Sequence, residues 1–284
     1  MTLIIIVLIV IALAAAGAIV YGDSSWQEET KILHAKMQAV RRPIAPTAYD
    51  AREIETLPAP VKRYFRAVLQ EGQAMIASVH VVQQGQFRRS ETRENWQSFN
   101  AAEFVTIRPP SFDWDARVKI AAGAKVYVHD AYAAGMGNLH AAVLGLLTVA
   151  EMHGTRELAQ GELLRYLGEA AWYLTVLLLS QGVHWQGIND SSTRATLTDS
   201  AISASLDFTF DRDGLISTAW AQSRCRIAMG ALQTAPWQGR FGVYAQRSGM
   251  RVPLEAEVEW QLPNGPWPYW RGRLTDIKYE FAMR

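Results

Sequence analysis

The pattern of apolar and polar positions divides the chain into three stretches. Residues Leu3 to Val20 carry no polar or charged side chain. At 1.5 Å rise per residue, a helix of that length covers about 27 Å, close to the thickness of a bilayer's hydrocarbon core. Tyr21 stands where an interfacial aromatic stands, and Asp23 closes the run. Because the run is apolar on every side, it predicts a transmembrane helix over residues 1–22 rather than a core helix. Two roles fit it. One is a signal anchor; the other is a secretory signal cleaved after the small residues Ala14-Ala15-Ala16 or Ala16-Gly17-Ala18. The lack of Lys or Arg in Met1-Thr2 favours the anchor. Residues 23–56 predict a juxtamembrane helix, from Ser25 to Val40, and a linker marked by Pro43 and Pro46.

From Leu57 onward the pattern predicts a single antiparallel β-rich domain, residues 57–284. It opens with a short helix. Pro60 suits the start of that helix, and Val61, Tyr64, Phe65, Val68 and Leu69 share one face. The period then switches to two. Residues 111–120, 203–211 and 252–262 alternate apolar and polar positions without error, as strands with one packed face and one wet face do. One long helix, Thr155 to about Leu179, separates two groups of strands. The expected fold class is mainly β (α+β): a large curved antiparallel sheet or open half-barrel, with helices on its concave face and one transmembrane helix before it.

Charge and composition narrow the function classes. There are 28 Lys+Arg and 27 Asp+Glu, for a net charge of +1. A chain so balanced lacks the basic footprint of a nucleic-acid binder. A single Cys excludes a disulfide framework. Lys31, Lys36, Arg41 and Arg42 follow the apolar run, so a strict positive-inside reading places the domain in the cytoplasm. Long domains cross largely regardless of charge, and the small residues of the run resemble those of a signal. An extracytoplasmic domain is therefore expected.

Few residues announce chemistry. There is no nucleophile elbow, Walker loop, dinucleotide fingerprint or zinc motif, and no cofactor or metal is expected. Cys225, between Arg224 and Arg226 on a strand, reads as an inert thiol. Asp113 and Asp115 flank Trp114 with their carboxylates on one side; the ordinary reading is the wet face of a strand. Glu162, Arg165 and Glu169 are three and four residues apart and share a helix face. On an exposed face they form a solvated charge stripe. On the concave face they form a buried ion triad suited to orienting a polar head group. Trp172 follows them, and Trp267, Tyr269 and Trp270 crowd the C-terminal segment. These aromatics suit an ordinary core or the mouth of an apolar cavity.

Four stretches carry a resemblance. They are residues 57–65 (Leu-Pro-Ala-Pro-Val-Lys-Arg-Tyr-Phe), residues 85–88 (Gly-Gln-Phe-Arg), residues 161–167 (Gly-Glu-Leu-Leu-Arg-Tyr-Leu) and residues 266–272 (Pro-Trp-Pro-Tyr-Trp-Arg-Gly). Together they resemble a bacterial family of unknown function with an N-terminal membrane segment. The resemblance implies a shared domain over most of residues 57–281 and no known activity. The order of elements is also similar to the half-barrel of LolA/LolB-type lipoprotein carriers, in which a curved sheet holds an acyl chain beneath helices. The reading that follows is a membrane-tethered binding module for a lipid or other hydrophobic ligand in the bacterial cell envelope. Residues 3–20 would be its membrane contact, and Glu162, Arg165, Glu169, Trp172, Trp267, Tyr269 and Trp270 its ligand contacts. Two alternatives stay open: a hydrolase or isomerase using Asp113, Asp115 or the Glu162/Glu169 pair, and an envelope scaffold protein.

Overall fold

A computed structural model describes residues 2–88, 90–92, 94–228 and 231–283. The apolar run and the juxtamembrane segment form one continuous helix, α1 (Thr2–Ala39). A 3-10 turn (Ala51–Ile54) leads to α2 (Ala59–Val68), whose Val61, Tyr64, Phe65 and Val68 are buried as its apolar stripe requires. Six strands follow: β1 (Ile76–Arg88), β2 (Trp96–Thr106), β3 (Ser111–Ala121), β4 (Ala124–Ala133), β5 (Met136–Val143) and β6 (Leu147–His153). Helix α3 (Arg156–Glu169) then crosses the molecule. It leads to β7 (His184–Gly187), β8 (Ser192–Asp199), β9 (Ile202–Phe210), β10 (Ile216–Ala228), β11 (Ala231–Arg247), β12 (Met250–Leu262) and β13 (Gly265–Phe281).

Among the described residues thirteen strands join one antiparallel sheet, in the order β6-β5-β4-β3-β2-β1-β13-β12-β11-β10-β9-β8-β7. The expected class, a large curved antiparallel sheet with helices against its inner face, is the fold of this chain. Two meanders, β1–β6 and β7–β13, meet where β1 pairs with β13. Helix α3 packs on β4 and β5 in one arm and on β9 and β10 in the other. Those strands lie far apart in the sheet, so one helix can reach them all only if the sheet curls around it. The sheet stays open, and its two edge strands β6 and β7 are joined in sequence through α3.

Two expectations are corrected here. The long helix ends at Glu169 rather than near Leu179. Residues 170–178 are buried on all sides, so no helical stripe sets their winding. Two short 3-10 turns (Leu174–Leu177 and Leu179–Gln181) take over. They let the Tyr173 hydroxyl donate to the Tyr166 carbonyl at 2.6 Å, and the Thr175 hydroxyl accept from the Ile76 amide at 3.1 Å. The second correction concerns Asp113 and Asp115. Their side of β3 is not wet, because the C-terminal half of α1 lies across it.

Candidate functional site

Strand parity builds the inner site. In β2, Phe99, Ala101, Glu103 and Val105 face inward and are buried; in β3, Phe112, Trp114, Ala116 and Val118 do the same. Register places Glu103 opposite Trp114, and Trp114 opposite Asp130 of β4. Two carboxylates therefore sit in one row on an otherwise apolar surface. Charges there need partners. Gln83 of β1 donates to Glu103 Oε2 at 3.2 Å and accepts from Trp114 Nε1 at 2.9 Å.

Arg165 of α3 meets this row. Its Nη1 donates to Asp130 Oδ2 at 2.6 Å and its Nε to Glu169 Oε1 at 2.8 Å, while Nη2 lies 3.6 Å from Glu103 Oε1. Its guanidinium also lies over the rings of Phe112 and Trp114. Glu162, Arg165 and Glu169 thus share the buried side of α3 and do not form the solvated stripe that is the ordinary reading of their spacing. Burial is the reason: α3 is covered on both flanks by the curled sheet. Burial also pushes the Glu162 carboxyl up to about 8, with the charge of Asp130 adding and those of Arg224 and Arg165 opposing. Glu103 is raised by burial and then by the charge of Glu169. The Arg165 guanidinium is held well above its ordinary range, because Glu169, Asp130, Glu103 and Glu162 outweigh its burial.

Beside this cluster lies a cleft of ≈ 620 Å³, its open mouth included. Trp114, Trp172, Trp237, Phe87, Tyr269 and Trp270 supply much of its wall, and Asp130, Arg165, Glu169 and Arg224 its polar end. Arg224, on β10, is 9% exposed. Its guanidinium lies 5.1 Å from the centre of the Trp237 ring, and Nη1 donates to the Tyr269 hydroxyl at 3.4 Å. Unlike Arg165, among the described residues it forms no salt bridge, and its Nε has no partner. Trp172 Nε1 is also buried without a partner, whereas Glu169 lies within hydrogen-bond reach of the raised Glu103 carboxyl. Buried polar atoms left unpaired at the wall of a cleft are the groups a ligand can satisfy.

The residues expected to contact a ligand divide accordingly. Arg165, Glu169, Trp172, Tyr269 and Trp270 line the cleft. Glu162 opens instead into a neighbouring pocket with Cys225 and Arg226, and Asp130 borders both. Trp267 stands behind the wall, stacked on Tyr269 at 5.7 Å. Glu103, Asp130 and Arg224 escape sequence reasoning, although a signal exists for two of them. Glu103 and Asp130 are charged residues on the apolar side of an alternating strand.

The outer face of β3 and β4 holds a second buried network. Trp26 of α1 is 1% exposed; it stacks on His129 at 4.6 Å and donates to Asp115 Oδ1 at 2.8 Å. The Thr30 hydroxyl lies 3.2 Å from both Asp115 Oδ2 and His129 Nε2. Asp113 accepts from His129 Nδ1 and from His34 Nε2, each at 2.8 Å, and Arg117 pairs with Asp115. Burial works against both members of the first pair, and hydrogen bonding reverses it. The two histidines hold the Asp113 carboxyl below its ordinary value, and Asp113 holds the His129 imidazole above its own. Among the described residues, no group of three His, Cys, Asp or Glu side chains is arranged to hold a metal ion. Burial raises the Cys225 thiol, against the reactive direction.

Comparison with solved structures gives distant likenesses. A LolA superfamily protein from Nitrosomonas europaea aligns over 82% of this chain and 94% of its own, at 10% identity and a TM-score of 0.33. A beta-barrel-like protein of the domain of unknown function DUF1849 from Brucella abortus aligns over 72% and 99%, at 9% identity and a TM-score of 0.16. No curated protein matches in sequence. The model of a family of unknown function, DUF6920, matches residues 55–279, and the chain belongs to that family.

Proposed function

We propose that the protein is a membrane-tethered module of the bacterial cell envelope that binds an amphipathic molecule, such as a lipid, in the cleft beneath α3. The single observation that supports this most is the composition of the cleft: apolar, aromatic walls with a polar end whose buried atoms lack partners. Apolar surface takes the chain of the ligand, and the polar end takes its head. Arg165, Glu169, Trp172, Tyr269 and Trp270 contact the ligand directly. Trp267 braces Tyr269, and Glu162 supports the polar end from the adjoining pocket. Arg165 is saturated by its own carboxylates, so Arg224 and Trp172 Nε1 are the donors free to meet a head group. Helix α1 holds the cleft close to a membrane source.

A variant of the cleft wall tests the reading. Gly168 lines the cleft, and a Cβ placed on it meets Leu206 at 3.4 Å and Trp237 at 3.5 Å, ordinary contact distances. Gly168→Leu sets an apolar side chain on the cleft wall while improving helix propensity. The full chain, extracted gently in detergent, is examined by native mass spectrometry. A stoichiometric amphiphile is expected on the wild type and its loss on G168L. A wild type free of bound amphiphile, or equal occupancy in both proteins, defeats the proposal.

A further inference from the structure

We infer that the tips of the β3–β4 and β5–β6 hairpins form a second membrane contact beside α1. The starting observation is a backbone approach. A Cβ on Gly22 would lie 2.2 Å from the Leu144 carbonyl oxygen, and one on Gly145 would lie 2.7 Å from the Gly22 carbonyl oxygen. The β5–β6 tip is therefore packed directly on α1 at Gly22. That position is two residues beyond Val20, the last residue of the apolar run, or about 3 Å along the helix axis. Whatever surrounds the end of the run also surrounds this tip.

The chemistry of the tip suits that place. Leu147 is 66% exposed, Val149 52% and Leu146 44%. Three large apolar side chains clustered in the open are unusual on a soluble face and mark an interaction surface. The occupant is the bilayer, because the cluster is continuous with the exposed apolar surface of α1, where Val20 is 66% exposed. The neighbouring tip agrees. The amide of Leu144 donates to the carbonyl of Lys125 at 2.9 Å, tying the two hairpins together. The β3–β4 tip is Ala121-Ala122-Gly123, flanked by exposed Lys119 and Lys125. Small apolar residues between two lysines suit the boundary between acyl chains and phosphates.

Register carries the consequence to the cleft. Val143 pairs with Val126, Val126 with Val118, and Val118 with Phe99. Phe99 in turn stacks on Trp270 of the cleft wall at 5.7 Å. The aromatic part of the cleft and the membrane contact thus lie at the same end of the sheet. The hairpin contact itself does not depend on what the cleft binds.

The test uses the full chain in proteoliposomes, in a Cys225→Ala background. Leu147→Cys carries an environment-sensitive thiol probe. Ile188→Cys is the control: it is also an exposed apolar residue, 49% exposed, but lies at the opposite end of the sheet, near Ser192 and Thr209. The probe at 147 should emit to the blue of the probe at 188. It should be quenched by lipids brominated on the acyl chain, with protection from aqueous iodide; the control should show the reverse. Equal iodide quenching at both positions overturns the inference. Protection at 147 from iodide and brominated lipid alike also overturns it, by showing protein in place of lipid.

Discussion

The two faces of the sheet near β3 and β4 bury similar residues to opposite effect. On the outer face, Asp113 and Asp115 meet two histidines, Trp26, Thr30 and Arg117, and each carboxylate oxygen has a partner. Neither aspartate lines the cleft. On the inner face, three carboxylates meet Arg165, buried polar atoms around them are left unpaired, and Arg224 stands apart. A cleft adjoins them. A satisfied polar network specifies a packing arrangement and rigidifies it. An incompletely satisfied one beside a void is a place to bind. Neither charge nor burial marks a site here; unpaired groups that adjoin a cavity do.

The largest effect should come from Arg165. Arg165→Ala leaves Glu103, Asp130 and Glu169 buried around a missing cation, and breaking a buried pair in that way costs about 3–5 kcal/mol. Thermal or urea unfolding should show a drop of that order. A loss below about 1 kcal/mol would mean that the inner cluster is hydrated and the contrast between the faces is false.

The outer face should break next, and with pH. Asp113→Asn weakens hydrogen bonds to a charged group that are each worth about 1.5–3 kcal/mol. The signs follow from the two shifts. The lowered Asp113 stabilises above its ordinary value of 3.8 and loses that contribution as pH falls through its native value. The raised His129 stabilises below its ordinary value of 6.5 and loses that contribution as pH rises through its native value. The gap in unfolding free energy between wild type and D113N, measured across pH, should be widest between those limits. A gap constant from pH 3 to pH 9 would remove the ion pair from the account. The smallest effect is expected for Arg224→Met, which removes no salt bridge. Its stability should change by no more than about 2 kcal/mol, the scale of a desolvated cation–π contact, although amphiphile binding should weaken. A loss matching that of R165A would make Arg224 part of the structural cluster.

Much of this was legible in the chain. Strict alternation over residues 111–120, 203–211 and 252–262 marks β3, β9 and β12 to within two residues at each end. The helical stripe of Val61 to Leu69 marks α2. The end of α3 was not legible, because residues 170–178 are almost wholly apolar and periodicity is silent there. The cleft was half legible: the spacing of Glu162, Arg165 and Glu169 gives a shared face, while Glu103 and Asp130 join them only through the curl of the sheet.

By itself the sequence determined the parity of β3, β9 and β12, the apolar run that can cross a membrane, and the antiparallel class that such parity implies. These are local properties, set by the geometry of a few consecutive residues. The tertiary structure alone decided which side of each strand was dry. Asp113 and Asp115 alternate as a wet face does, yet α1, some 80 residues earlier in the chain, lies over them. Arg165 finds Asp130, 35 residues away, because the sheet curls around α3. Coverage depends on two segments distant in sequence meeting in space, and one segment's pattern holds no record of the other.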